Sequence, residues 1–374
     1  MSDNNEDNRQ QETAEEQPVV QETAEEQPVT AEAVDEKPTE QETAEEQPAE
    51  QGSEETVTSP DGNELTVVES QEVVVAGEPE HKSKELHIGN MVDAIKAMIS
   101  FFTIIPLSVG EKECNAMERN FWLAPVLGAI NGFVVFLVVL VLGLFLGGNI
   151  GVLALIALAT SFIFSKFLHF DGLVDFGDGM IVSSDRQEDH VRALKDSLIG
   201  AGGYGVSLIV VLISLYCLTS LSNDVVAMVD DRGNFFFTII FIVWPLEILI
   251  KNSQVVAAAF GKPGNGMAAK QVGNTELNDI VLSTALTVGL VIIVSLILWG
   301  IASLCAFHTE IQMAVIILLM LMSILVSVGV GYLMAYVSNK TFGFVNGDVL
   351  GATNEISRAL ILLVSVMIFV MAAW

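Results

Sequence analysis

Seven long apolar runs constrain this chain more than any other feature. They lie near 121–147, 151–168, 203–222, 235–259, 280–304, 311–335 and 357–374, and each holds few charges. About 20 such residues match the ~30 Å hydrocarbon core of a bilayer. In that medium a backbone N–H or C=O without a partner is costly, and a helix satisfies all of its own groups. The expected fold is therefore all-α: a polytopic helical membrane protein of about seven transmembrane helices. Met91–Leu107 is shorter, contains Asp93 and Lys96, and meets Pro106 near its end. It reads as an interfacial or re-entrant helix.

The first 85 residues differ in kind. Residues 1–80 carry 25 Asp and Glu against Arg9 and Lys37, which accounts for −23 of the chain's net −29. The acidic balance thus describes this arm and not the apolar part. Gln-Glu-Thr-Ala-Glu-Glu-Gln-Pro recurs at 11–18, 21–28 and 41–48. These repeats lack a periodic apolar face, so they bury too little surface to offset chain entropy. The reading is a disordered acidic arm over 1–85 and an integral membrane domain over 86–374. The arm acts as a solvated tail or docks a basic partner. Met1 is followed by polar and acidic residues, so membrane insertion is expected from internal segments. Cys114, Cys217 and Cys305 are widely spaced and read as small apolar residues.

Lys and Arg concentrate in alternate loops, and that bias sets orientation. One set of loops holds Lys112, Arg119, Lys166, Arg186, Arg192, Lys195, Lys262, Lys270, Lys340 and Arg358. The opposite set (147–150, 223–234 and 305–310) holds Arg232 alone. The rich loops and the N-terminus are expected in the cytoplasm of a multi-pass cell-membrane protein.

The largest of these loops contains His169-Phe170-Asp171-Gly172-Leu173-Val174-Asp175-Phe176-Gly177-Asp178-Gly179. Ionisable groups at the border of a membrane segment are costly to keep, so they mark a functional site. On a helix Asp171, Asp175 and Asp178 fall at i, i+4 and i+7, on one face. Clustered carboxylates repel unless a cation sits among them. With no nearby Cys and one His, hard oxygen donors favour Mg²⁺ over Zn²⁺. Such a set suits metal-assisted phosphoryl transfer.

Other polar groups surround this one in sequence. Lys195 reads as a phosphate contact or as a positive-inside anchor. It is followed by Asp196-Ser197 and by the glycine-rich Gly200–Gly205. Those glycines suit either close helix packing or an anion held by backbone N–H groups. A second group, Asn346-Gly347-Asp348 with Asn354-Glu355 and Arg358, precedes the last apolar run. It reads as a turn with capping residues, or as a second metal or nucleophile-orienting set. A third group is Glu247, Lys251 and Asn252, with Glu247 and Lys251 spaced for an ion pair. Lys262-Pro263-Gly264-Asn265-Gly266 reads as a loop able to cap a site. His87, His190 and His308 receive no role.

Asp175 to Gly179 also matches the start of the CDP-alcohol phosphotransferase signature. Val182-Ser183 stands where that signature has Ala-Arg, and its second Asp pair is missing. The whole motif resembles more closely that of the cobalamin synthase family, the adenosylcobinamide-GDP ribazoletransferases. That family's motif runs His-x-Asp-Gly-Leu-x-Asp-x-x-Asp-Gly, matched by His169, Asp171, Gly172, Leu173, Asp175, Asp178 and Gly179. The likeness continues in order through Phe102-Thr103 with Pro106, Pro125 with Gly128 and Gly132, and Lys195-Asp196-Ser197 with Gly200. It ends at Gly347-Asp348 with Gly351-Ala352 and Glu355. Asn346 departs from the family's Thr, and Lys251 stands where many members carry Arg.

The resemblance implies a membrane enzyme that joins adenosylcobinamide-GDP to α-ribazole or its 5′-phosphate and releases GMP, with Mg²⁺ required. It implies metal binding by Asp171, Asp175 and Asp178, and phosphate contact by Lys195. Asp196 or Asp348 is then the general base, and His169 an orienting or proton-transferring group. Gly200, Asn346, Glu355 and Lys251 become substrate-binding residues. The implied partners are the two substrates and the lipid bilayer, with no nucleic acid. A homo-oligomer and contacts with other corrinoid-synthesis enzymes fit the same reading. The alternatives are a CDP-alcohol phosphotransferase and a secondary transporter whose acids couple an ion. The missing second Asp motif argues against the transporter.

Overall fold

The computed structural model describes residues 88–146, 149–227, 235–304 and 313–372. The acidic arm over 1–85 lies outside the described residues, as do His87, Arg232, Cys305 and His308.

Six helices are long and apolar enough to cross a membrane. They are α3 (Ala124–Leu146), α7 (Ala201–Ala227), α8 (Phe235–Phe260), α10 (Leu277–Leu304), α11 (Met313–Thr341) and α12 (Gly347–Ala372). Of the most apolar stretch of α8, 83% is buried, against 22% for α10 and for α11. Helix α8 is therefore the axis of the bundle, and α10 and α11 turn Leu296, Trp299, Leu321 and Leu325 outward. Exposed apolar faces of that extent suit contact with lipid. The chain is a multi-pass membrane protein.

Helix α3 lies against α8 with almost no space between backbones. A Cβ on Gly128 would fall 2.3 Å from the Glu247 carbonyl oxygen, and one on Gly132 would fall 2.5 Å from the Trp244 ring. The Trp244 indole N–H donates to the Ala129 carbonyl at 2.9 Å and ties the two helices together.

The run expected over 151–168 is α4 (Ile150–Phe164), which turns by 90° into α5 (Leu168–Ile181). Taken as one broken span, this pair brings the number of candidate crossings to seven. The break is a helix C-terminal motif. The Phe167 N–H donates to Phe162 O at 2.8 Å and the Lys166 N–H to Ile163 O at 3.0 Å. This is the Schellman pattern, with Lys166 in the left-handed position usually given to glycine. Lys166 (φ 55°) and Phe167 (φ 57°) both adopt that conformation, which costs a non-glycine residue about 1–2 kcal/mol. The Asp motif is thus helical, the state in which its i, i+4 and i+7 spacing shares one face.

The last span also differs from expectation. Helix α12 begins ten residues before the predicted 357. The Asn346 side chain accepts the Val349 N–H at 3.1 Å and caps the helix. Asn346 thus serves as the cap its position suggested, while Asn354, Glu355 and Arg358 lie inside the bundle.

Helix α1 (Ile88–Phe102) covers most of the predicted interfacial segment. It pairs with α2 (Glu111–Arg119) through Asp93–Lys112 at 2.7 Å and Lys96–Glu113 at 3.0 Å. Glu113 is pulled down to about 2, chiefly by the Gly110 N–H it accepts and then by Lys96. Short helices α6 (Gln187–Leu194) and α9 (Ala269–Asn274) complete the polar end.

Candidate active site at the crossing of three helices

Helix α5 presents Asp171 and Asp175 along its open face, Asp171 exposed and Asp175 half-buried. Its opposite face is buried through Gly172, Leu173, Phe176 and Gly177. At one edge α5 meets the start of α12, where a Cβ on Gly172 would fall 2.7 Å from the Asp348 carbonyl oxygen. A Cβ on Gly351 would fall 3.1 Å from the His169 carbonyl oxygen. This contact places Asp348 beside the α5 carboxylates, so that Asp175 feels the charges of Asp348, Asp171 and Asp178 together. The sequence spacing foresaw the α5 face. Asp348, singled out in the sequence as a general-base or second-metal candidate, lies beside that face.

At the other edge α5 meets the start of α7. The Gly200 N–H donates to Asp178 Oδ2 at 2.8 Å and the Gly203 N–H to Asp178 Oδ1 at 2.7 Å. Asp178 therefore caps α7 from a neighbouring helix, where a negative charge is favourable. Two expectations change. Asp178 serves as a helix cap, and among the described residues the three α5 carboxylates are not gathered into one ion-holding group. Gly200 offers its N–H to Asp178 and not to a substrate phosphate. The glycine-rich stretch serves packing: a Cβ on Gly203 would fall 2.5 Å from the Val174 carbonyl oxygen.

Among the described residues no group of three His, Cys, Asp or Glu side chains is arranged to hold an ion unaided. Magnesium sites at phosphates are commonly built from one or two carboxylates plus substrate oxygens and water. Asp171 and Asp175, with Asp348 adjacent, fit that kind of site.

Behind the acid face lies a buried polar network across five helices. Arg358 pairs with Glu247 and, at 3.0 Å, with Glu355, and it donates to Ser161 at 3.1 Å. Asn131 donates to Glu247 at 2.6 Å. Lys251 Nζ lies 2.6 Å from His169 Nε2 and donates to Asn354 at 2.8 Å. The Gln254 amide reaches the Leu350 carbonyl at 2.9 Å. Each buried ionisable group thus has a hydrogen-bond partner, as burial demands.

The expected Glu247–Lys251 ion pair is not made, because Arg358 takes Glu247 and Lys251 turns to His169. Lys251 and Glu355 are each 2% exposed, so neither is placed to meet a substrate. Asn346 is likewise occupied, capping α12 and donating to Asp348 at 2.7 Å. His169 is buried on the far side of α5 from the acids, stacked near Phe102 at 6.0 Å.

Lys195 and Asp196 are exposed at the end of α6. They border a cleft of about 740 Å³ with Gln187, Arg192, Asn265 and Phe344. Lys195 also acts electrostatically on Asp348, which links the cleft to the acid face. Asp196 accepts the Leu198 N–H at 3.0 Å.

Residues 94–366 match the family model of cobalamin-5-phosphate synthase. The chain belongs to that family. It is 31% identical over 268 residues to the adenosylcobinamide-GDP ribazoletransferase of Halorubrum lacusprofundi, a match covering 72% of this chain and 94% of the relative. It is 30% identical over 278 residues to that of Sulfolobus acidocaldarius, covering 74% and 93%. With that of Methanocella arvoryzae it shares 28% over 282 residues, covering 72% and 94%. No solved structure matches the chain.

Within this cobalamin-5-phosphate synthase domain, sequence reasoning missed Asn131, Ser161 and Gln254 and took Arg358 for a loop cation. Single polar residues inside apolar runs carry little signal by themselves. The available clue was their occurrence in segments where a polar side chain needs a partner.

Proposed function

We propose that this protein is an adenosylcobinamide-GDP ribazoletransferase, acting in the step of cobalamin synthesis that closes the nucleotide loop. A hydroxyl of α-ribazole, or of its 5′-phosphate, attacks the phosphorus that bears the cobinamide arm. A new P–O bond forms, the diphosphate P–O bond breaks, and GMP departs with the bridging oxygen. The observation that carries this reading is the meeting of Asp171 and Asp175 on α5 with Asp348 on α12.

Asp171 and Asp175 hold Mg²⁺ in this proposal, and when bound it neutralises the diphosphate and eases its cleavage. Asp348, half-buried beside them, is a better candidate than exposed Asp196 to take the hydroxyl proton. Lys195 faces the phosphate charge. The Lys and Arg bias of the loops supports placing this end of the bundle at the cytoplasmic face of the cell membrane.

The test uses membranes containing the protein, supplied with adenosylcobinamide-GDP, α-ribazole and Mg²⁺, with corrinoid and GMP followed by chromatography. The expected result is corrinoid product and GMP in equal amounts, both lost with chelator. Well-inserted protein that gives neither product, with nucleoside or nucleotide as acceptor, would overturn the assignment.

A further inference from the structure

The cleft bordered by Lys195 is built around one aromatic ring. Phe344 sits in the turn between α11 and α12, four residues before Asp348. That turn is held from two sides. On one side the Gln187 amide of α6 donates to the Phe342 carbonyl at 2.7 Å, and Gly343 turns the chain at φ 83°. On the other side the Val345 N–H donates to the Lys262 carbonyl at 2.8 Å. The Phe344 ring rests against Gly264, where a Cβ would fall 2.7 Å from the ring. One part of the ring is thus fixed against backbone while another lines the cleft.

Charge and polarity surround this platform. Lys195 Nζ lies 6.0 Å from the ring centroid and, among the described residues, makes no ion pair. Arg192 and Asn265 border the same space. A volume of about 740 Å³ falls within the range of small-ligand sites. A rigid aromatic face with an adjacent cation is the arrangement by which proteins hold a nucleobase and its phosphate. Val191, Glu188 and Asp196 complete the lining.

We infer that the cleft holds the nucleoside part of a substrate, with a bicyclic base stacked on Phe344 and its phosphate directed to Lys195, toward Asp348. This rests on the ribazoletransferase reading, in which two such rings occur: the benzimidazole of α-ribazole and the guanine of the leaving nucleotide. Phe344 is then a binding residue that helps select the substrate. The loop Lys262–Gly266 serves as the back wall of the site through Gly264.

The experiment compares full-length protein with Phe344→Leu, which keeps apolar volume but removes the ring, and with Phe344→Tyr, which restores it. Each substrate is titrated at saturating concentration of the other. Phe344→Leu should raise one KM by roughly tenfold, the change appearing in KM more than in kcat, and Phe344→Tyr should recover it. A rise in the α-ribazole KM assigns the cleft to the acceptor, and a rise in the adenosylcobinamide-GDP KM assigns it to the guanosine. Both KM values within about twofold of the parent would overturn the inference.

Equilibrium dialysis of α-ribazole 5′-phosphate and of GMP against the purified full-length protein needs no turnover. Weaker binding by Phe344→Leu and by Lys195→Gln, even if the parent gives no product, would uphold the cleft while the reaction assignment fails. Equal binding by all variants would overturn the cleft alone.

Discussion

The aspartates of α5 share a motif and do different work. Asp178 spends both oxygens on the N–H groups of Gly200 and Gly203, whereas Asp171 and Asp175 remain open beside Asp348. Substitution should separate them. Asp175→Asn should reduce turnover by about 10²–10³-fold, with little loss of thermal stability in detergent. Asp178→Ala should lower stability by about 1–2 kcal/mol as the start of α7 loses its cap, seen as a lower unfolding temperature. Equal unfolding temperatures for the two variants would contradict this division. Arg358→Met tests the network behind them. It strands Glu247 and Glu355 in a buried site, at a cost of about 3–5 kcal/mol. Adding Glu247→Gln should return part of that stability, measured by unfolding of the purified variants.

Between elements, the site depends on how closely three helices approach. Gly172 lets α5 touch the backbone of α12, and Gly177, Gly202 and Gly203 let it touch α7. Gly172→Ala must push α5 away from Asp348. It should cost about 1–3 kcal/mol through overpacking and reduce turnover, read from unfolding and product formation together. Gly205 has open space where a Cβ would go. Gly205→Ala should therefore be neutral or raise stability by about 0.5–1 kcal/mol, since alanine is the better helix former. The bend between α4 and α5 belongs to the same scale. It turns the acid face away from the axis of α4, so that carboxylates do not continue along a membrane-crossing helix.

Taken whole, the chain joins an acidic arm to a domain that matches nearly the full length of the relatives named above. The match to the Halorubrum lacusprofundi relative covers 94% of that protein but 72% of this chain. A chain beginning at His81 should therefore retain turnover within about twofold of the full protein, a difference too small to reflect a lost transition-state contact. Loss of turnover despite normal insertion would give the arm a direct part in the reaction.

The sequence alone determined the helical membrane fold, because long apolar runs have one way to satisfy their backbone groups in lipid. It also determined the acid face of α5, because i, i+4 and i+7 spacing depends only on helical geometry. The domain limits of the family match were likewise legible in its ordered motifs. Only the tertiary structure decided which carboxylate caps a helix, where along α12 the contact with α5 falls, and that Lys251 meets His169 and not Glu247. It also decided where an apolar run bends and where α12 begins. These outcomes depend on distances between residues far apart in the chain. Such distances are set by the packing of glycine faces and by the pairing of buried charges, neither of which local spacing encodes.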